Sequence, residues 1–320
     1  MKMKTINIKI GFQFIFMVVF STLGISQQNE DIKFNYDAPF LRNPATLSML
    51  YERVGSLNYL QQYSGISNPP SLITASFQYP IPKQQLSVGL GVIRESAGLL
   101  ANNALNISSS YKIRSLRSQK DYLSFGLSFK MSSLSIKGSE IELVNGQDPL
   151  AINSDENALG FNVGFGVFYS TDRYKEWQRG VPIFQFGLSA VKAIPQRLNF
   201  STISYKEVTT YHAIANLINP FSTTGSRVQT MLEVSYESEN LLNVSIASQY
   251  IHENKFIIGI TGDSNYDLGF NAGYQFRASN IGGFYKIIGY AIVPLGLIDN
   301  YINTGYGIAL TYEFDVSRYR

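Results

Sequence analysis

A strict two-residue alternation of apolar and small polar side chains is the feature that most constrains how this chain can fold. Residues 122–131 read YLSFGLSFKM. Leucine, phenylalanine and methionine occupy every second position from 123 to 131, and serine, glycine and lysine occupy the positions between them. Residues 161–169 and 268–276 repeat the pattern. Because successive side chains of a β-strand point to opposite faces, this period predicts strands with one apolar face.

The same alternation, in stronger or weaker form, recurs along the chain and predicts about 14 antiparallel strands. An even number is expected for a single-chain bacterial barrel. The longest predicted connections, 138–157 and 194–206, are expected on the outside of the cell, where barrel loops are longer. The predicted strands are 54–63, 72–79, 86–92, 105–113, 122–131, 161–169, 184–190, 209–217, 228–236, 242–250, 256–260, 268–276, 284–292 and 306–314.

The composition of the two strand faces favours a membrane barrel over a soluble sandwich. The polar face holds mainly glycine, serine, asparagine, threonine and glutamine, and only 15% of the chain is charged, against about 25% in soluble proteins. Lipid outside and a polar lumen inside explain both faces. Lipid contact also requires closure, since an open sheet edge would leave backbone groups unpaired in hydrocarbon. The predicted fold class is all-β, a transmembrane outer-membrane β-barrel over residues 53–320.

The first 26 residues have the features of a cleavable signal peptide. Three lysines precede the mostly apolar residues 10–23, and small residues follow up to Ser26, after which we expect cleavage. The apolar stretch is too short for a helical membrane anchor, which needs about 20 residues. Of the 26 basic residues, three lie in this leader, and the remaining 23 equal the 23 acidic residues in number. No basic surface for nucleic acid is therefore expected.

The sequence offers no motif for catalysis or metal binding. The chain has no cysteine, which excludes disulfides, thiolate metal sites and a lipoprotein anchor. Its two histidines, His212 and His252, have no partner at motif spacing. The acidic stretch 138–157 lacks the Asp-x-Asp-x-Asp-Gly spacing of a calcium loop and is expected to be a solvated surface loop. We therefore expect neither an enzyme nor a bound metal or cofactor.

Several short motifs, in a shared order, resemble those of the PorP/SprF family of outer-membrane proteins. The family opens after its leader with an aromatic segment containing Asn-Pro, which FLRNPATLSML at 40–50 resembles. It continues with an arginine, a Gln-aromatic-x-Gly and a proline before the second strand; Arg53, residues 62–65 and Pro69-Pro70 match, with Tyr63 in place of the usual tryptophan. The later matching stretches are VGLGVIRESAG at 88–98, LSFGLSFKMSSLSI at 123–136, and FNVGFGVFYSTDRY at 161–174.

The resemblance implies a FadL-like barrel and a role in type IX secretion and gliding motility in Bacteroidetes-type bacteria. Members of the family are expected to bind secreted adhesins through the cargo's C-terminal signal domain and to anchor them outside the cell. The implied partners are the secreted cargo protein, components of the type IX translocon and outer-membrane lipid. The alternative function is a FadL-like channel for hydrophobic small molecules, which an apolar lumen with a lateral opening would favour.

Residues 27–52 are expected to form a periplasmic segment that plugs the barrel. Asn43-Pro44 cannot belong to a membrane strand, because proline cannot donate a ladder hydrogen bond. The alternative is a disordered linker, which is common near a mature terminus. The candidate plug residues are Phe40, Asn43, Pro44, Leu47, Met49 and Leu50. The candidate contacts for a protein partner, apolar residues expected in outer loops, are Leu99, Leu100, Leu150, Pro69 and Pro70.

Overall fold

The computed structural model describes residues 37–49, 51–114, 121–140, 154–171, 180–200, 204–221, 225–237, 241–264, 267–278, 282–294 and 304–314. The predicted leader 1–26 lies outside these ranges, so cleavage after Ser26 stays a prediction. Leu50 and Leu150 also lie outside them.

Within the described residues, fourteen antiparallel strands form a closed barrel, and two short strands form a separate hairpin. The strands are β1 Arg53–Gln61, β2 Ser71–Ile81, β3 Leu86–Ala97, β4 Leu100–Arg114, β5 Tyr122–Lys137, β6 Asp155–Ser170, β7 Ile183–Val191, β8 Arg197–Asn199, β9 Ser204–Lys206, β10 Thr210–Pro220, β11 Arg227–Glu237, β12 Leu241–His252, β13 Phe256–Asp263, β14 Asp267–Arg277, β15 Gly283–Pro294 and β16 Gly305–Phe314. Strands β8 and β9 pair only with each other. Each barrel strand pairs with its neighbours in sequence around the ring, and β1 pairs with β16, from Arg53 opposite Phe314 to Gln61 opposite Tyr306. The predicted fold class and strand number are confirmed.

The two faces of the wall have the predicted character. Along β5, Ser124 and Ser128 are buried, whereas Phe125, Leu127 and Phe129 are about half exposed on the outside. That outer surface is the apolar belt that a membrane barrel presents to lipid. Large exposed side chains on the outer surface follow from the alternation itself, because every second residue of a barrel strand faces away from the lumen.

Short 3-10 helices complete the described structure, at Pro39–Leu41, Pro44–Met49, Pro82–Gln84 and Gly138–Glu140. Among the described residues, no helix is long and apolar enough to cross a membrane. Strand β5 ends, and β6 begins, at the same end of the barrel as the end of β7 and the start of β10; this end is named the loop end. The connection around Pro82–Gln84 lies at the opposite, turn end. By the length argument used for the sequence, the loop end is expected to face outward.

Strands β4, β5 and β6 are longer than predicted, with 15 or 16 residues each. The other barrel strands have 8 to 12 residues, close to the 9–11 that span a bilayer. The extra length lies at the loop end, where the outward residues of β5 become polar at Ser133 and Ser135. The alternation fades there because a strand that has left the hydrocarbon no longer needs an apolar outer face.

Candidate functional site

Residues 37–49, named the luminal segment, lie inside the barrel in the half nearest the turn end. The chain enters from that end because β1 begins there. Phe40, Asn43 and Leu47 have no exposed surface, and Pro44 is among the largest fully buried residues. Met49 is partly buried against a small aromatic cluster. The structure thus brings five of the six candidate plug residues together inside the wall, while their role in closing the barrel stays a prediction.

Asn43 organises the turn at the centre of the luminal segment. Its side-chain oxygen accepts a hydrogen bond from the Ala45 N–H at 3.0 Å. Its backbone oxygen accepts bonds from the Thr46 N–H at 3.0 Å and from the Thr46 hydroxyl at 2.8 Å. Asparagine is favoured before a helical turn for this reason, and Pro44 fits the first helical position, where no N–H is needed.

The Asn43 amide also fixes the segment to the wall. Its Nδ2 donates to the backbone oxygens of Val167 on β6 and Leu188 on β7, each at 3.3 Å. Gly166 and Gly187 leave the room for this approach. A Cβ atom on Gly187 would lie 2.7 Å from Asn43 Nδ2, and one on Gly166 would overlap the Asn43 side-chain oxygen.

A third glycine allows backbone-to-backbone contact on β5. A Cβ atom on Gly126 would lie 2.7 Å from the Ala45 Cα and would overlap the Pro44–Ala45 peptide. Beside it, the Ser124 hydroxyl donates to the Ala45 oxygen at 3.0 Å and lies 2.6 Å from the Ser48 hydroxyl. Small inward residues at these positions therefore have a specific purpose: they form the surface on which the luminal segment rests.

The apolar side of the luminal segment packs differently from the sequence-based expectation. Leu47 and Phe40 do contact the small residue Gly89, where a Cβ atom would lie 2.8 Å from the Leu47 side chain. However, Phe40 and Leu47 also belong to a cluster with apolar inward residues of the wall, most of them large, which the alternation does not predict. Those wall residues are Leu60, Leu72, Ile93, Ala104, Ile251, Ile257, Ile288, Tyr290, Ile292 and Ala309.

Charged groups hold the first residues of the luminal segment. Asp37 forms an ion pair with Lys286 on β15 and accepts a hydrogen bond from the Thr311 hydroxyl on β16 at 2.7 Å. Gln78 on β2 donates to the Asp37 backbone oxygen at 2.5 Å. These bonds join the segment to the strands on both sides of the β1–β16 seam.

A second ion pair lies in the middle of the segment. Arg42 pairs with Glu233 on β11, which is buried and also lies 3.3 Å from the Nδ1 atom of His212. The Ser189 hydroxyl on β7 donates to the Arg42 backbone oxygen at 2.8 Å. Sequence analysis missed this group because Arg42 and Glu233 are 191 residues apart. The sequence signal for this group is Glu233, the single charged residue of the predicted strand 228–236.

Two residues of the connection between β7 and β10, Leu198 and Glu207, contact the inner face of the barrel at the loop end. Leu198 on β8 is buried, and its side chain lies 3.0 Å from the Cβ position of Gly160 on β6. Glu207 is also buried and accepts a hydrogen bond from the Asn162 side chain. Part of a connection that was expected to be an outer loop therefore folds back against the inner face of the barrel.

The candidate partner contacts are not all in accessible loops. Leu100 is the first residue of β4, because Gly98, with a φ of 59°, makes the β3–β4 connection a tight turn; its placement in a loop was wrong. Its side chain is nevertheless 47% exposed, and Leu99 is half-buried in the turn. Pro69 is half-buried and Pro70 is buried, so Pro70 offers no surface to a partner.

The described residues contain no group of three or more His, Asp or Glu side chains placed to hold a metal ion. His212 contacts Glu233, as above. His252 lies at the end of β12, where the Tyr250 hydroxyl and its Nδ1 atom are 3.0 Å apart.

The closed wall, its apolar outer belt and its polar inner face define an outer-membrane β-barrel protein. Residues 25–316 match the family of the type IX secretion system membrane protein PorP/SprF, and the chain belongs to that family. Family and fold together support an outer-membrane location. No curated protein sequence matches the chain closely enough to count as a relative.

Two solved barrels share the fold. The Pseudomonas putida toluene transporter TodX has a TM-score of 0.51 and 9% sequence identity, and the alignment covers 87% of this chain and 93% of TodX. The monoaromatic hydrocarbon channel CymD has a TM-score of 0.50 and 11% identity, over 86% of this chain and 91% of CymD. At such identities the likeness concerns the fold alone.

Proposed function

We propose that this chain is an outer-membrane anchor that binds the C-terminal signal domain of a type IX-secreted surface protein, such as an adhesin. Components of the type IX translocon are further proposed partners, and gliding motility is the process that we expect the anchored cargo to serve. In this proposal residues 1–26 direct export, residues 27–52 form the plug and residues 53–320 form the barrel. Membership in the PorP/SprF family supports the role in secretion.

The observation that supports the proposal is the luminal segment, whose described residues lie inside the barrel. The luminal segment bonds to β2, β5, β6, β7, β11, β15 and β16, and so reaches walls on all sides of the barrel. A cavity of about 180 Å³ remains beside it, below the 300–1,000 Å³ of typical small-molecule sites. A barrel whose interior is occupied by its own chain is suited to presenting a surface rather than conducting a solute.

The loop end offers that surface. Strands β4 to β6 extend beyond the length needed to cross the membrane, and Leu159 and Leu100 present 65% and 47% of their side chains to the outside. Exposed apolar residues beside polar ones are typical of sites for protein contact. We therefore expect the cargo to bind at the loop end.

The test uses the purified C-terminal domain of a type IX-secreted adhesin from the same cell, fused to a fluorescent protein. We expect it to bind the barrel reconstituted in liposomes, with an affinity that a fluorescent protein lacking the domain does not show. Deleting the gene should release the adhesin from the cell surface into the medium. Surface retention of the cargo without the barrel would contradict the anchor function.

A channel for hydrophobic small molecules is the second candidate, because TodX and CymD, which share the fold, are hydrocarbon transport proteins. Single-channel recording in planar bilayers separates the two functions. We expect the mature protein to be silent and a variant lacking residues 27–50 to conduct, since the deletion empties the turn-end half of the lumen. Heat-modifiable gel mobility serves as the control that the deleted variant is folded. Equal conductance of both proteins would favour the channel and leave the luminal segment without a closing role.

A further inference from the structure

The loop-end part of β6, residues 155–160, is a sheet edge that no strand covers within the described residues. Strand β5 pairs with β6 along its whole length, from Asp155 to Ser170. Strand β7 pairs with β6 only between Phe165 and Ser170 and ends at Val191. Beyond Phe165, the described residues that follow β7 contact β6 through single bonds and form no further strand pairing with it.

Two bonds from the connection after β7 show which backbone groups of β6 face the open side. The Ala193 N–H donates to the Val163 oxygen at 2.9 Å. The side-chain amide of Gln196 bonds to both backbone groups of Phe161: its oxygen accepts from the N–H at 2.9 Å, and its nitrogen donates to the oxygen. Backbone groups alternate between the two sides of a strand. The N–H and C=O groups of Leu159 and Asn157 therefore also point away from β5, into the open side.

Over residues 157–160 this edge lacks the features that usually protect one. Natural sheets block exposed edges with proline, lysine, bulges or a covering segment. Residues 157–160 read Asn-Ala-Leu-Gly, without proline or charge, and the charged residues Asp155 and Glu156 lie at the outer end of the edge. The Leu159 side chain is 65% exposed. Only the next position, Phe161, is covered, by the amide of Gln196. A primary amide offers the same donor and acceptor as a peptide group, so the first rung of a missing strand is already filled by a substitute.

We propose that an extended segment of the secreted partner adds to β6 as a strand over residues 155–160. This inference rests on the proposed anchor function and names where the cargo binds. Backbone donors and acceptors in a row are satisfied by another strand, which gives affinity, while alternate side chains give specificity. On the outer side of the added strand, we expect an apolar side chain, because it would lie beside Leu159 and the stacked Phe129 and Phe161 rings. The centroids of these two rings are 6.1 Å apart. The inner side favours a small residue, because Ala158 is buried and Leu198 lies against Gly160.

The paired variants Leu159→Pro and Leu159→Ala test the inference. Proline removes the N–H that faces the open edge but no hydrogen bond to β5, and proline is tolerated at such edge positions. Alanine removes the side chain and keeps the N–H. With the cargo domain fused to a fluorescent protein as the probe, we expect Leu159→Pro to bind about tenfold more weakly than Leu159→Ala, the loss of one or two net hydrogen bonds. Equal binding by the two folded variants would overturn the inference.

Hydrogen exchange on the unmodified protein provides a measurement that needs no variant. The amides of Asn157 and Leu159 should exchange quickly in the barrel alone and become protected when the cargo domain binds. Protection without cargo would mean that another part of this chain, such as 141–153, or a second copy covers the edge, and the inference would be wrong. Cargo binding without protection of these amides would refute the strand addition while leaving the anchor function standing. Absence of any cargo binding would instead refute the anchor function.

Discussion

Replacing Gly126 with alanine should dislodge the luminal segment by adding a single methyl group. The new Cβ atom would lie 2.7 Å from the Ala45 Cα and nearer still to its peptide nitrogen. Carbon atoms in contact are about 3.5–4.0 Å apart, so the segment must move by roughly 1 Å. Its neighbours on this side are main-chain atoms, which cannot rotate out of the way as a flexible side chain could.

A shift of that size breaks identifiable bonds. The two bonds from the Asn43 amide are already 3.3 Å long, and the bond from Ser124 to the Ala45 oxygen is 3.0 Å. Each contributes about 0.5–1.5 kcal/mol to stability. Together with the strain of an overfilled interior, we expect Gly126→Ala to lower the free energy of unfolding by about 2–4 kcal/mol.

The assay is urea unfolding of the barrel in detergent, followed by heat-modifiable gel mobility. Gly262→Ala is the matched control, because a Cβ atom there has no atom within 4 Å, and alanine in a strand interior is at least as favourable as glycine. We expect no loss of stability for Gly262→Ala. If Gly126→Ala unfolds at the same urea concentration as Gly262→Ala, the luminal segment does not rest on β5 as described.

Two further changes probe the outer belt and the buried ion pair. Leu127→Arg should destabilise the barrel by about 2–4 kcal/mol if it lies near the bilayer midplane, and Leu127→Ala should cost less; equal urea midpoints would contradict its lipid-facing position. Arg42→Ala should cost about 3–5 kcal/mol because it leaves Glu233 buried beside His212 without its cation. Adding Glu233→Leu should recover part of that loss, and a strictly additive double variant would mean that the pair does not interact.

The wall was predictable from sequence because its signal is local. Each strand shows its two faces within about ten residues, so Phe125 and Leu127 were assigned to lipid without knowledge of any other strand. The same reasoning gives no direction for Ile257 and Ile288, which point inward although each has a second isoleucine beside it. Where neighbouring residues are all apolar, the period gives no direction, and only the contents of the lumen decide which of them is needed inside.

The luminal segment was predictable in outline only. Asn43-Pro44 excluded a strand, and the apolar residues around it favoured burial. The contacts of the segment with the wall could not be predicted, because the partner residues are distant in sequence: Asp37 bonds to Thr311, 274 residues away. Likewise, the contact of Leu198 and Glu207 with the inner face depends on β7 ending at Val191. The alternation of apolar and polar residues gives little information on where a strand ends at the loop end.

The bonds of Asp37 have a consequence for how the protein is made. The first described residue of the chain is held by Lys286 on β15 and Thr311 on β16, strands that are synthesised last. Native contacts over such separations form slowly, because the whole intervening chain must first be ordered. The Asp37 carboxylate therefore gains these two partners only when the last two strands are in place. A chain truncated before β16 would lack both the pairing of β1 with β16 and the Thr311 bond. The complete set of bonds to Asp37 therefore forms only in the finished barrel.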